Sequence, residues 1–268
     1  MLTRIDGLDT FSSVQGQGEP VLLLHGWGAS SQSLAGVQEM LADARRAVAL
    51  DLPGFGWSER PPTAWGTAEY ARHVVGFMDA LGIARAALLG HSFGGRVAIR
   101  MAVEHAPRVS RLVLVASAGI RRPHGARYQV RVRTVKLVRG LFGLPVWGRL
   151  GPRLIARLTE RVGSRDYRAA GAMRPTLVKL VNEDLAPMLS AIQAPTLILW
   201  GDRDQEVPRS AMDLMAGAIP GARMVVFPGA GHFPFQDALD AFSRELRAFM
   251  AEGTEGTEGA QRAQRECR

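Results

Sequence analysis

A serine at position 92 lies within Gly90-His91-Ser92-Phe93-Gly94-Gly95, between the apolar run Ala86-Ala87-Leu88-Leu89 and the helix-compatible run Arg96 to Ala102. A serine hydroxyl is a weak nucleophile at neutral pH. Chemistry at Ser92 therefore needs a base to take its proton and N–H groups to hold the oxyanion that forms. A tight strand-to-helix turn presents such a side chain from a strained backbone position, and the residues two before and two after it must be small. Gly90 and Gly94 satisfy that requirement. The five-residue pattern alone also fits a glycine-rich turn beside an incidental serine, and the flanking strand and helix signals favour a nucleophile.

The base and the residue that orients it must come from elsewhere in the chain. Of the six histidines, His232 alone lies beyond Ser92 on a segment that reads as strand then loop, Arg223 to Phe227 followed by Pro228-Gly229-Ala230-Gly231-His232. His105 falls in the helix expected after the serine turn and His124 in a charged insertion. His25, His73, His91, His105 and His124 read as surface or internally satisfied residues. Between Ser92 and His232, the β-prone run Pro195 to Trp200 breaks at Gly201-Asp202-Arg203-Asp204-Gln205-Glu206-Val207-Pro208. An acid on that loop would accept the His232 ring N–H, fix its tautomer and stabilise the imidazolium. Spacing alone leaves Asp202, Asp204 and Glu206 as alternatives.

These residues together resemble the α/β-hydrolase family, specifically its serine-hydrolase branch with a lid inserted after the sixth strand. The resemblance runs from about residue 21 to about residue 250 and is interrupted by a poorly matching middle. Its Gly-x-x-Asp followed by Val-Pro maps onto Gly201, Asp204, Val207 and Pro208, which implies Asp204 as the acid and leaves Asp202 and Glu206 as loop charges. Val21-Leu22-Leu23-Leu24 running into His25-Gly26-Trp27-Gly28 is similar to the family's oxyanion segment, so the resemblance implies the backbone N–H groups of Trp27 and Phe93 as oxyanion donors. Asp51-Leu52-Pro53-Gly54-Phe55-Gly56-Trp57-Ser58 is also typical of the branch. It reads as structural, with Asp51 and Ser58 holding a turn by local hydrogen bonds.

The elements that would position these groups are legible as short apolar runs alternating with helical patterns. The runs are Val21 to Leu24, Ala47 to Leu50, Ala86 to Leu89, Leu112 to Val115, Thr196 to Trp200 and Met224 to Phe227; Thr67 to Leu81 and Ala238 to Met250 read as helices. The expected fold is α/β, an α/β-hydrolase fold with a mainly parallel central sheet flanked by helices and a helical lid after the sixth strand. Residues 1–117 and 191–251 form the expected core, 118–190 the lid, and 252–268 a disordered tail built on a Gly-Thr-Glu repeat. At 268 residues and 47% hydrophobic content, the chain is long enough for one large core.

No apolar run reaches membrane-spanning length and no signal-like segment opens the sequence, which implies a cytoplasmic location. The single cysteine, Cys267, lies in the tail. It cannot form an internal disulfide, and it is not the nucleophile. Paired cysteines, helically spaced histidines and a complete dinucleotide glycine loop are all missing, so no metal or cofactor is expected.

Charge is concentrated in the insertion. Residues 118–190 hold 15 Lys plus Arg against 4 acids, within a formal net charge of +8 for the whole chain. There Tyr128, Val132, Val135, Val138, Leu141 and Phe142 fall at helical spacing among Arg127, Arg131 and Lys136, and Leu150, Leu154, Leu158 and Val162 form a second stripe. The simplest reading is lid helices with apolar faces on the core and arginines in water. The sharper one is recruitment of an anionic substrate or membrane surface. A nucleic-acid partner is not expected, because no recognition motif accompanies the charge.

The expected activity is cofactor-independent hydrolysis of a carboxylic ester or related acyl compound. Ser92 attacks, His232 acts as base and then acid, and Asp204 orients it, with Trp27, Phe93 and Phe233 lining a pocket for a small, apolar acyl substrate. The alternatives are carbon–carbon bond hydrolysis of ring-cleavage products and a triad-bearing ligand-binding protein with little turnover. Members of the carbon–carbon group resemble Gly-Asn-Ser at the nucleophile and carry Trp after the histidine; here His91 and Phe233 occupy those positions. An Asp nucleophile, needed for dehalogenase or epoxide hydrolase chemistry, is excluded by Ser92.

Overall fold

A computed structural model describes residues 1–121 and 165–252. Eight strands form one sheet: β1 (Leu2–Ile5), β2 (Leu8–Gln15), β3 (Pro20–Leu24), β4 (Arg46–Leu50), β5 (Ala86–His91), β6 (Val109–Val115), β7 (Thr196–Gly201) and β8 (Arg223–Phe227), in the order β1-β2-β4-β3-β5-β6-β7-β8. The pairs β1–β2 and β2–β4 are antiparallel, and every pairing from β4 to β8 is parallel. Parallel strands need crossover connections, which place helices on both faces. Their strands are accordingly apolar at successive positions instead of alternating with polar residues.

Within each run the side chains still alternate between faces. Leu22, Leu24, Val48, Leu50, Leu88, Leu112, Leu114, Ile198 and Trp200 join one buried cluster with helices α2 (Thr67–Ala80) and α3 (Phe93–Glu104). Val21, Leu23, Ala47, Ala49, Ala87, Leu89, Val113, Val115, Leu197 and Leu199 join the other, covered by α1 (Ala35–Ala42) and the C-terminal helix Leu239–Ala251 through Val37, Leu41, Phe242, Leu246 and Phe249.

All six strand runs and both helices read from the sequence are present within one or two residues, apart from β6, which starts three residues earlier at Val109. The strands β1 and β2 carry no apolar run, and periodicity does not reveal them. On β2 the buried positions are Thr10 and Ser12. The signal that marks this hairpin is Asp6-Gly7, a two-residue turn with φ of 48° and 83°, a backbone that Asp-Gly adopts readily.

Of the segment expected to be a lid, the described part from residue 165 onward contains α4 (Arg174–Asn182) and a turn over Ala186–Ala191. Met173, Leu180, Leu185 and Leu189 pack into the same cluster as α2 and α3. This part is therefore continuous with the core. His124, the stripe from Tyr128 to Phe142, the stripe from Leu150 to Val162, and the tail with Cys267 lie outside the described residues. No helix among the described residues is long and apolar enough to cross a membrane.

Candidate active site

Ser92 occupies the single residue between β5 and α3, with φ 51° and ψ −109°. A left-handed φ on a residue bearing a Cβ is strained and persists only where the surroundings impose it. Here they do. Ser92 N–H donates to the Val115 carbonyl at 3.0 Å, and the Ser92 carbonyl accepts from Gly95 at 3.1 Å and Ala118 at 3.1 Å. The turn is also crowded. A Cβ on Gly90 would lie 2.5 Å from the Gly94 oxygen, and one on Gly94 would lie 2.0 Å from the Leu24 oxygen. Because the obstacle at Gly94 is main chain, Gly94→Ala is expected to destabilise the fold by about 3 kcal/mol or more, as urea unfolding would measure. Wild-type stability in that variant would contradict the packing.

The acid loop follows β7. The Asp204 side chain is buried, and its Oδ1 accepts the N–H groups of Glu206 at 2.7 Å and Val207 at 2.9 Å. Its Oδ2 lies 2.9 Å from His232 Nδ1. Burial works to raise the Asp204 pKa, but the hydrogen bonds from His232 and the two backbone N–H groups outweigh it and hold the carboxyl below its ordinary value. Of the three candidate acids, then, Asp204 is the one whose carboxylate meets Nδ1. Asp202 instead accepts the Gly229 N–H at 2.7 Å and ties the β7 loop to the β8 loop.

Glu206 departs from its reading as a solvated loop charge. Its Oε2 lies 3.3 Å from His232 Nε2, so both ring nitrogens face carboxylates. The Ser92 hydroxyl hydrogen-bonds to no described residue, and Nε2 lies beside Glu206 Oε2, a contact that is a bond only when Nε2 carries a proton. No sequence signal distinguishes this glutamate from its neighbours.

His91 is satisfied on one nitrogen only, and it does more than fill space. It is buried, and its Nε2 bonds to the His232 carbonyl oxygen at 2.9 Å, which makes Nε2 the protonated nitrogen. Its ring lies 4.8 Å from that of His232, 5.0 Å from Phe233 and 5.2 Å from Phe235. His91 thus fastens the β8 loop to the residue next to Ser92.

Burial, with a smaller contribution from nearby His232, pushes the His91 pKa down to about 3, and burial pushes that of His73 down to about 4. Between these values and 6.5 the unfolded chain binds more protons than the folded one, so their contribution to stability is complete above pH 6.5 and lost as pH falls. At pH 5 each buried imidazole costs about 2 kcal/mol relative to neutral pH. Urea unfolding at pH 7.5 and pH 5 should show that fall; equal stability at the two values would contradict neutral burial.

The candidate oxyanion donors flank the serine turn. Phe93 opens α3, where helical N–H groups have no acceptor within the helix, and no described residue accepts from the Trp27 N–H. Their rings pack edge-to-face at 5.7 Å, and Phe55 stands 4.8 Å from Trp27 and 5.8 Å from Phe93. Phe233 packs instead against His91 and His232. The pocket trio is therefore divided between two aromatic groups.

The loop after β4 is held as its residue types suggest. Asp51 accepts from the N–H groups of Ser31 at 2.6 Å and Trp57 at 2.8 Å, and the Ser58 hydroxyl donates to the Asp51 carbonyl at 2.6 Å. His25 is buried, with Nδ1 bonded to the Gly26 carbonyl and Nε2 accepting the Leu52 N–H. Burial lowers its pKa, which agrees with that acceptor role. Among the described residues, no cluster of three or more His, Cys, Asp or Glu side chains is placed to hold a metal ion.

Comparison with known proteins agrees with this architecture. The chain is 34% identical over 250 residues to a 2-hydroxymuconate semialdehyde hydrolase of Pseudomonas putida, covering 89% of each protein. Among solved structures it superposes on a meta-cleavage product hydrolase from Pseudomonas fluorescens IP01 with a TM-score of 0.73 and 26% identity, over 95% of this chain and 98% of the other. It also superposes on a membrane phospholipase A with a TM-score of 0.74 and 26% identity, over 93% of this chain and 84% of the other. The family profile described as the alpha/beta hydrolase family matches residues 21–245. With its eight-stranded, mostly parallel sheet and its strained strand-to-helix serine, the chain is a member of the alpha/beta hydrolase family and a hydrolase of that superfamily.

Proposed function

We propose that this hydrolase is a serine enzyme that cleaves carboxylic esters or related acyl compounds without a cofactor. The observation that carries the reading is the 2.9 Å contact between His232 Nδ1 and buried Asp204, on loops beside a serine held at positive φ. Asp204 keeps the proton on Nδ1 and leaves the lone pair on Nε2. With that lone pair Nε2 has no bond to the Glu206 carboxylate, and in the reacting state it removes the Ser92 hydroxyl proton as Oγ adds to the substrate carbonyl. Glu206 can yield, since its side chain is 58% exposed and water takes over its contact.

The oxyanion then lies between the N–H groups of Trp27 and Phe93, aligned before charge develops. His232 returns the proton to the leaving alkoxide, and water repeats the sequence on the acyl-enzyme. Turnover of short p-nitrophenyl esters, with fluorophosphonate labelling at Ser92, tests the reading. A folded protein that neither labels nor turns over esters would overturn it.

Carbon–carbon bond hydrolysis is the second reading, favoured by the named activity of the Pseudomonas putida relative. His91 and Phe233 bear on it, because the two lie against each other beside His232 with ring centroids 5.0 Å apart. Turnover of a ring-cleavage semialdehyde at a higher kcat/KM than any ester in a panel of graded acyl length would replace the first reading with the second.

A further inference from the structure

A cavity of about 200 Å³ borders the candidate site, lined by Arg96, Ser117 to Ile120, Val181 of α4, and Glu206 to Pro208 with Ala211. Two of its walls are joined to the reacting groups. Ala118 N–H donates to the Ser92 carbonyl at 3.1 Å, and Glu206 contacts His232 Nε2 at 3.3 Å.

Most of the lining is apolar. The exception is Arg96, 8% exposed on α3 one turn beyond Ser92, whose guanidinium is bonded to the described residues through one nitrogen only. Its Nη1 donates to the carbonyls of Leu180 at 2.9 Å and Glu183 at 3.3 Å at the end of α4. Among the described residues, none accepts from Nε or Nη2 and no carboxylate forms an ion pair with the guanidinium. The two acids whose charge reaches it are committed elsewhere. Glu183 accepts the Thr67 N–H, and Asp184 accepts the N–H groups of Arg121 and Ala186. Glu206 is directed at His232, and the Ser117 hydroxyl donates to the Ala118 carbonyl.

A buried guanidinium remains charged and is costly to leave without a counter-ion. Helix-end carbonyls compensate part of that cost. They occupy one nitrogen and leave free the two, Nε and Nη2, that form the fork matching a carboxylate.

We propose that this cavity binds the carboxylate end of the substrate, with Arg96 as its counter-ion and Ile120, Val181, Val207 and Pro208 around a short apolar stem. This rests on the acyl-hydrolase reading of the adjoining site and narrows its substrate to an acyl compound carrying a second, anionic group. Arg96 would act as a specificity residue that selects the substrate by charge, from the core helix α3 and not from the arginines of the insertion.

The test uses glutarate and its uncharged diamide, glutaramide, as probes of the full-length protein, by calorimetry and by competition against p-nitrophenyl butyrate hydrolysis. Glutarate is expected to bind at least ~10-fold more tightly than glutaramide, and Arg96→Gln to erase the difference. Arg96 also holds α4, so a second variant avoids that element's anchor. Val181→Asp, at a half-exposed position on the cavity rim, should weaken glutarate several-fold and leave glutaramide unchanged.

Equal binding of the two probes by the wild type would overturn the proposal without any variant, as would full glutarate affinity in a folded Arg96→Gln or in Val181→Asp. Ester turnover without a glutarate preference removes the subsite and leaves the hydrolase reading intact. Glutarate binding without Ser92 labelling or ester turnover does the reverse.

Discussion

Ser92→Ala should lower ester turnover by ~10³-fold or more, abolish fluorophosphonate labelling, and leave the melting temperature within about 2 °C of wild type. The two halves of that expectation have separate causes. Activity disappears because alanine has no atom to form the acyl bond. Stability is retained because the turn at 92 is held by main-chain bonds to Val115, Gly95 and Ala118, none of which uses the hydroxyl. Alanine tolerates the φ of 51° about as poorly as serine, so the strain is unchanged. Wild-type kcat in a folded Ser92→Ala protein would end the serine mechanism.

Asp204→Asn should have the next largest effect, a loss of ~10³-fold in kcat with KM little changed. The amide oxygen can still accept from Glu206 and Val207, so the loop keeps its shape. Its NH₂ would then face His232 Nδ1, forcing that nitrogen to become an acceptor and shifting the proton to Nε2. The base is thereby in the wrong tautomer. Because Asp204 is held ionised by bonds that outweigh its burial, this role persists well into the acid range. Asp202→Asn, whose side chain accepts the Gly229 N–H and does not bond to His232, is the control. Steady-state kinetics of the two variants decide between the acids, and a larger loss in the Asp202 variant would contradict the assignment.

The sequence carried the core and the site unequally. Buried parallel strands announce themselves because both faces must be apolar, and every one from β3 to β8 did. The hairpin β1–β2 did not, since β2, paired antiparallel on both sides, buries Thr10 and Ser12, and hydroxyls leave no hydrophobic signature. For the candidate site, Ser92 was legible because the backbone around a nucleophile restricts residue types, with Gly90 and Gly94 as evidence; His232 stood out by its place after a strand, and only the family resemblance chose Asp204 among three loop acids. The contacts of Glu206 and His91 were not. They depend on where loops from β5, β7 and β8 meet in space, and neither residue type is demanded by its neighbours in sequence. Arg96 was hidden for the same reason: on a helical pattern it reads as a polar position, yet its nearest acceptors are more than eighty residues away.

The three groups proposed to react sit at the ends of β5, β7 and β8, with β6 between the first two, and His91 ties the last loop to the first. None of them can be aligned by a partially assembled sheet. During refolding, recovery of enzymatic rate should therefore lag behind the burial of tryptophan fluorescence, because non-local pairings close late. A catalytic assay on this chain thus serves as a clock for the docking of its final strand.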